Sequence, residues 1–186
     1  MSPPPSQKAI KSNGEAMASR SLDDLKPEFR ERAEVFLGFC ADAGLNILVY
    51  CTLRDNREQA IHYRCGRGIA EILHKRDELE VVWKRPDLAK ALMDVGPQFD
   101  TRVRTYAGPG QSLHLYGFAL DACPLQGGKL PWADGEDAID AALWTLYGKA
   151  AEAAGLEWGG NWSERKREMP HVQMPGVKWE ELIAMS

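Results

Sequence analysis

Phe29, Ala33, Phe36, Cys40 and Ala43 recur at steps of four, three, four and three, which is one face of a helix. Ser21, with Asp24 three residues on and Pro27 in the first turns, marks its start, and Gly44 marks its end. The pattern then becomes a continuous apolar run: Ile47, Leu48, Val49 and Tyr50 predict a first strand over 45–52. The polar turn Arg54-Asp55-Asn56-Arg57 leads into a short helix over 58–63. From 64 to 100 the spacing is helical again, first at Ile69, Ala70, Leu73 and Leu79, then at Leu88, Ala91, Leu92 and Val95, with Pro86 and Pro97 as punctuation. This stretch reads as a helical excursion from the main sheet. Gly108-Pro109-Gly110 predicts a loop over 105–111, and 118–125 reads as a strand. Gly127-Gly128 and Asp134-Gly135 bracket a hairpin around 129–132. Over 136–154, Ile139, Leu143, Leu146, Ala150 and Ala153 share one face, the clearest helical pattern in the chain, ended by Gly155. Short strands follow at 156–158 and 171–173, then a helical segment at 179–185. Helices mixed with short, separated strands, without regular βαβ alternation, predict an α+β fold.

Composition narrows the class. At 186 residues and 20.7 kDa, the chain is the size of one domain. The Pro-, Ser- and Lys-rich opening predicts a flexible tail over 1–20 ahead of a domain over 21–186. That opening lacks the apolar core of a secretory signal, so a protein made and held in a cytosol is expected. The net charge of -4 argues against nucleic-acid binding, which usually carries a basic excess. No apolar run approaches the ~18 residues of a membrane span. Cys40, Cys51, Cys65 and Cys123 are scattered, with no C-x-x-C pair, and read as reduced thiols rather than staples or zinc ligands.

Three features carry chemistry. Asp121 interrupts the apolar strand Phe118-Ala119-Leu120-Asp121-Ala122-Cys123, where a lone carboxylate needs a partner. His114 lies seven residues upstream, beyond Gly117, where a turn can bring it beside Asp121. Secondly, His171 enters a short strand directly after Pro170, with Glu168 three residues earlier. Histidine and aspartate suit zinc; three protein ligands plus an open position make a catalytic site, and a further carboxylate then serves as general base. His114, Asp121, His171 and Glu168 fill those roles. Thirdly, Arg54 ends the first strand, with Gln59 five residues on, and an Arg there can hold a carboxylate or an oxyanion. Plainer readings stay open: an Asp satisfied by backbone amides, a Glu168 within the solvated run 164–168, and a surface Arg in a polar turn.

Taken together, these residues resemble a family. Ser112-x-His114-x-x-Gly117-x-Ala119-x-Asp121 is similar, position for position, to the S-x-H-x-x-G-x-A-x-D signature of zinc peptidases acting on D-amino-acid-containing wall peptides. That group spans the VanY-like D-alanyl-D-alanine carboxypeptidases, the vancomycin-resistance dipeptidases and the phage L-alanyl-D-glutamate endopeptidases. Glu168-x-Pro170-His171 resembles their acid-x-x-His element, and Arg54 with Gln59 resembles the upstream R-x-x-x-x-Q element. Trp158-Gly159-Gly160-Asn161-Trp162 looks like the W-G-G-D-W stretch of the endopeptidase branch. Two features depart: that branch often carries Asp where Glu168 stands, and 64–105 is longer and more helical than in compact members.

The resemblance implies a small α+β domain with a central antiparallel sheet flanked by helices, of the Hedgehog and D,D-peptidase kind. It implies one zinc per chain on His114, Asp121 and His171, with Glu168 as base and Arg54 stabilising the oxyanion. Ser112, Gln59, Tyr116 and Trp162 are then expected at the substrate, the peptidoglycan stem peptide. The implied activity is a phage-type endolysin cutting the L-alanyl-D-glutamate bond. Such a protein waits in the host cytosol as a monomer until a holin-like partner opens the way to the wall. The alternatives are a D-alanyl-D-alanine carboxypeptidase with the same zinc site and a non-catalytic zinc-binding interaction module.

Overall fold

A computed structural model describes residues 18–96, 102–125, 127 and 138–186. Most of the predicted tail and the hairpin around 129–132 lie outside the described residues. Ser19 is already tied to the domain, exchanging backbone hydrogen bonds with Thr52 and Leu53 at 2.7 and 2.8 Å.

The first helix, α1, runs Pro27–Asp42. Ser21 caps a separate 3-10 turn, Leu22–Asp24, by accepting from the Asp23 amide, so the α-helix starts later than the Ser21 signal suggested. Pro27 decides the start, since a residue without an N–H fits only the first turn. Phe29, Ala33, Phe36 and Cys40 are fully buried as expected, while Ala43 lies beyond the last turn and is exposed.

The sheet has four strands, β1 (Asn46–Cys51), β2 (Ala119–Leu125), β3 (Glu157–Trp158) and β4 (His171–Gln173), ordered β1-β2-β4-β3 with every pairing antiparallel. The fold is therefore α+β with an antiparallel sheet. Residues of α1 and of α5 (Ala138–Ala153) build the main core with Leu120, Ala122 and Val172 of the sheet. The inward face of α5 keeps Ala150, and Leu143 at its edge, from the predicted aliphatic set, but is otherwise turned toward aromatic positions. Trp144, Tyr147, Ala150 and Ala151 are buried, while Leu146 is 40% exposed. Aromatic packing rotates the helix: the Tyr147 ring meets Phe36 at 5.0 Å and Trp144 at 5.2 Å, edge-on, and its hydroxyl donates to the Pro170 carbonyl at 2.7 Å.

The helical excursion is present. It comprises α2 (Asn56–Arg64), α3 (Ile69–Asp77), a π-helical turn over Glu78–Val82 and α4 (Pro86–Asp94). With Ile183 of the last helix, α6 (Trp179–Met185), these elements enclose a second core around Tyr63, Ile72, Leu79 and Leu92. Ile69, expected on the inner face, is 60% exposed, and Ile72 takes that place.

This second core steers the segment ahead of His114. Glu78 accepts from Lys75 Nζ at 2.6 Å, Gln111 Nε2 at 2.7 Å and Trp83 Nε1 at 3.1 Å, and Gln111 Oε1 accepts from the Gly108 amide at 3.0 Å. Burial alone would raise the Glu78 carboxyl; those hydrogen bonds outweigh it and hold the group below its usual range. Gly110 has φ +77, a left-handed conformation that L side chains rarely adopt, so glycine suits the loop where it seats against Leu88 and Ile183. None of the four cysteines forms a disulfide, and all are buried. Among the described residues, no helix is long and apolar enough to cross a membrane.

Candidate metal centre

Register places the first two groups. Asp121 lies opposite His171 across the β2–β4 pair and opposite Cys51 across the β1–β2 pair, beside an irregularity between Val49 and Cys51. Directly opposed antiparallel residues share a face, so the Asp121 and His171 side chains meet. His114 arrives from the 3-10 turn Leu113–Tyr116, which ends at Gly117 with φ +73. That left-handed glycine reverses the chain into β2 and brings His114 back over Asp121.

Glycine also explains the Trp158-Gly159-Gly160 stretch. A Cβ on Gly159 would lie 2.5 Å from the Glu168 carbonyl and 3.1 Å from the Cβ of His171, so only glycine lets that segment approach. The Trp158 ring is wedged between Gly148 and Gly160, where added Cβ atoms would come within 2.2 and 2.1 Å of it.

Three donor atoms converge. His114 Nε2 is 3.2 Å from Asp121 Oδ1 and 3.3 Å from His171 Nδ1, and His171 Nδ1 is 3.1 Å from Asp121 Oδ1. Tetrahedral zinc, with bonds of about 2.0–2.1 Å, separates its ligands by about 3.3 Å. The triangle therefore fits that ion without rearrangement. The far nitrogens agree: His114 Nδ1 faces the Thr52 carbonyl at 3.0 Å and His171 Nε2 faces Gln173 Oε1 at 3.0 Å. Each ring can hold its proton on the far side and turn a lone pair inward. Burial would lower the His114 imidazole, but the Asp121 carboxylate outweighs it and pushes the pKa up; burial would raise Asp121, and His114 with His171 holds it well down. Asp121 is thus held ionised, as a ligating carboxylate must be.

Cys51 belongs to the same neighbourhood, a placement that its apolar sequence context did not reveal. Ligand atoms of Cys51, His114 and Asp121 all lie within 4.8 Å of one another. Its Sγ, however, meets His114 at Nδ1, 3.6 Å away, on the side opposite the triangle, and receives Arg54 Nη2 at 3.3 Å. The His114 nitrogen facing Asp121 and His171 is thus not the one facing Cys51. His62 pairs with Glu58 at 3.5 Å and His74 is exposed, so neither joins the triangle.

Glu168 Oε2 stands 3.8 Å from His171 Nδ1, with its side chain 46% exposed to the cleft. Desolvation in the cleft raises its carboxyl, His171 pulls it down, and Asp121 pushes it up again, for a net rise. Arg54 reaches the site but not as an exposed cleft residue: its side chain is only 13% exposed. Nη1 donates to Gln59 Oε1 at 2.9 Å, and Nη2 lies 3.5 Å from Asp121 Oδ2, the carboxylate oxygen turned away from the histidines.

A cleft of about 1800 Å³ opens over these groups, lined on the excursion side by Lys75 and Glu78 and on the sheet side by Trp158 and Trp162. Ser112 and Trp162 line it. Gln59 and Tyr116 do not. Gln59 is fully buried, receiving Arg54 and donating to the Ala107 carbonyl at 2.7 Å. Tyr116 faces a separate cavity of about 250 Å³ and donates to the Gly110 carbonyl at 2.9 Å. Their polar ends are consumed in tying loop segments down, which residue spacing does not reveal.

Three convergent donors suited to zinc, an acid beside them and an open cleft above define a zinc metallopeptidase. Residues 106–174 match the family model described as D-alanyl-D-alanine carboxypeptidase, the group its motifs resemble. It is 25% identical over 154 residues to the peptidoglycan L-alanyl-D-glutamate endopeptidase CwlK of Bacillus subtilis (strain 168), covering 81% of this chain and 74% of that one. Among solved structures it resembles the Serratia marcescens L-Ala D-Glu endopeptidase ChiX (20% identity, 85% of this chain and 88% of that one, TM-score 0.41). It also resembles the D,D-pentapeptidase VanY of a VanB-type vancomycin resistance cassette, solved as a single-site mutant in complex with Zn(II) (16% identity, 87% and 79%, TM-score 0.44).

Proposed function

We propose that this metallopeptidase cuts peptidoglycan stem peptides at the L-alanyl-D-glutamate bond, as an endolysin-type enzyme. Zinc would sit on His114 Nε2, Asp121 Oδ1 and His171 Nδ1; the 3.1–3.3 Å triangle of those atoms carries the reading. Bound there, zinc supplies Lewis acidity and a water that ionises near neutral pH. Glu168, beside His171 and open to the cleft, takes the attacking water's proton and returns it to the leaving amine. Arg54 orients Asp121 from behind through Oδ2 and adds positive charge where oxyanion character develops. Trp162, its ring 5.0 Å from His171, walls the cleft and excludes water from one side.

The bond assignment is supported by the Trp158-to-Trp162 stretch, which resembles the endopeptidase branch, and by the activity in CwlK's name. A cleft of this size also leaves room for peptide on both sides of the cut. Action as a monomer, with access to the wall through a holin-like protein, goes with the endolysin reading. D-alanyl-D-alanine carboxypeptidase activity is the second reading, favoured by the description of the matching family model. Digestion of purified sacculi, with and without chelator, separates them. Chelator-sensitive release of L-Ala carboxyl and D-Glu amine termini is expected; released D-Ala in their place establishes the second reading, and no new termini overturns both.

Arg54→Lys tests the third feature. An ammonium keeps the charge but loses the fork that spans Gln59 and Asp121. Turnover is expected to fall and not to be restored by lysine. Because Arg54 is buried, the melting temperature should fall too, by about 2–4 °C for each kcal/mol lost. A lower melting point with normal turnover would make Arg54 purely structural.

A further inference from the structure

Of the two histidines, His171 has the less backbone support, because its far nitrogen meets a side chain rather than a carbonyl. His114 Nδ1 faces the Thr52 carbonyl, whereas His171 Nε2 faces Gln173 Oε1 at 3.0 Å. A glutamine amide can present either end, and a primary amide that turned its NH2 to His171 would favour the opposite tautomer. What fixes its sense lies one step further out. Gln173 Nε2 donates to Glu157 Oε2 at 3.1 Å, and Glu157 Oε1 accepts from Trp162 Nε1 at 2.6 Å. The ring of Trp162 in turn leans on His171, centroids 5.0 Å apart.

An ionised carboxylate only accepts. Facing Glu157, Gln173 must turn its NH2 outward and its oxygen toward His171. That oxygen requires a proton on His171 Nε2, which leaves the Nδ1 lone pair for the triangle. Register supports the arrangement: Glu157 lies opposite Gln173 across the β3–β4 pair, so the two side chains share a face.

We propose that Glu157, Gln173 and Trp162 form a polarity relay that sets the tautomer and ring orientation of His171, and so the site's affinity for metal. Gln173 and Glu157 are positioning residues that act through His171. This inference rests on the zinc reading of the triangle. It gives Trp162 a second task besides walling the cleft, namely holding Glu157 in place. Outer partners of metal-binding histidines are typically worth about 10–100-fold in affinity.

The test measures zinc affinity by chelator competition, and the melting temperature of the metal-free protein, on the full chain. Gln173→Ala should lose about 10–100-fold in zinc affinity with little change in the metal-free melting temperature. Glu157→Gln alone should weaken binding, because Trp162 and Gln173 donate to different oxygens and the amide replaces one of those acceptors with a donor. The exchange Gln173→Glu with Glu157→Gln should recover the affinity. In it, the carboxylate at position 173 accepts from His171 and from the new amide, whose oxygen still accepts from Trp162, so every donor keeps an acceptor. A structural role predicts lower metal-free melting temperatures and no recovery by the exchange. Unchanged zinc affinity in Gln173→Ala, or no recovery in the exchange, overturns the relay while leaving the zinc site standing. An unmodified chain that binds no zinc overturns the zinc reading and the relay with it.

Discussion

Glu168→Ala keeps its zinc and loses about 10²- to 10⁴-fold in turnover, the range a general base typically supplies. The retention follows from geometry. Glu168 Oε2 is 3.8 Å from His171 Nδ1 and forms no edge of the triangle, whose three members contact one another without it. The loss follows from chemistry, because Glu168 is a carboxylate that stands beside the proposed zinc triangle while half exposed to the cleft. Glu168→Gln should lose nearly as much, since an amide keeps the shape but cannot take a proton. Glu168→Asp, one methylene shorter, should retain part of the activity. Metal content and single-turnover rates on the three variants decide the matter. Activity within a few-fold of the unmodified chain in Glu168→Ala would return Glu168 to the solvated charge run and require another base.

His114→Ala combined with His171→Ala removes zinc binding and hydrolysis together. Each histidine supplies one of three donor atoms, so the affinity loss should exceed the roughly 100-fold at which the loss of an outer partner tops out. Asp121 is then left with Arg54 alone, at 3.5 Å, and a buried carboxylate stripped of close partners is costly. The metal-free double variant should therefore melt below the metal-free parent. Chelation of the unmodified protein should abolish hydrolysis, and added zinc should restore it. Cys51→Ser is the control, expected to keep its zinc because Sγ approaches His114 at the outward nitrogen. Stoichiometric zinc in the histidine double variant, together with loss in Cys51→Ser, would move the metal to the Cys51 side.

Strand and helix spacing made much of this molecule legible. The apolar run Ile47-Leu48-Val49-Tyr50 and the segment Ala119-Leu120-Asp121 are strands, and the steps from Phe29 to Cys40 are a buried helical face. Pro170 before His171, and Gly117 between His114 and Asp121, mark the turns that converge. These features are local, set by backbone sterics and side-chain period, and a short window of sequence carries them.

The remainder depended on which long-range neighbours compete for each group. The α5 face was partly misread because Tyr147 and Trp144 find Phe36 and each other across the core, and aromatic burial outweighs aliphatic spacing. Gln59 and Tyr116 were expected at the substrate, but a loop carbonyl fixes each polar end, Ala107 for one and Gly110 for the other, and no periodicity encodes a partner tens of residues away or across a turn. Cys51 reads as core in sequence, yet β1–β2 register sets it against Asp121. The chain by itself therefore determined the types of group available for chemistry and the turns that bring them near. Only the packed sheet decided which nitrogen of each histidine faces inward, because strand pairing sets the acceptors: the Thr52 carbonyl just past β1 for His114, and for His171 the Gln173 oxygen, whose sense is fixed by Glu157 across the β3–β4 pair.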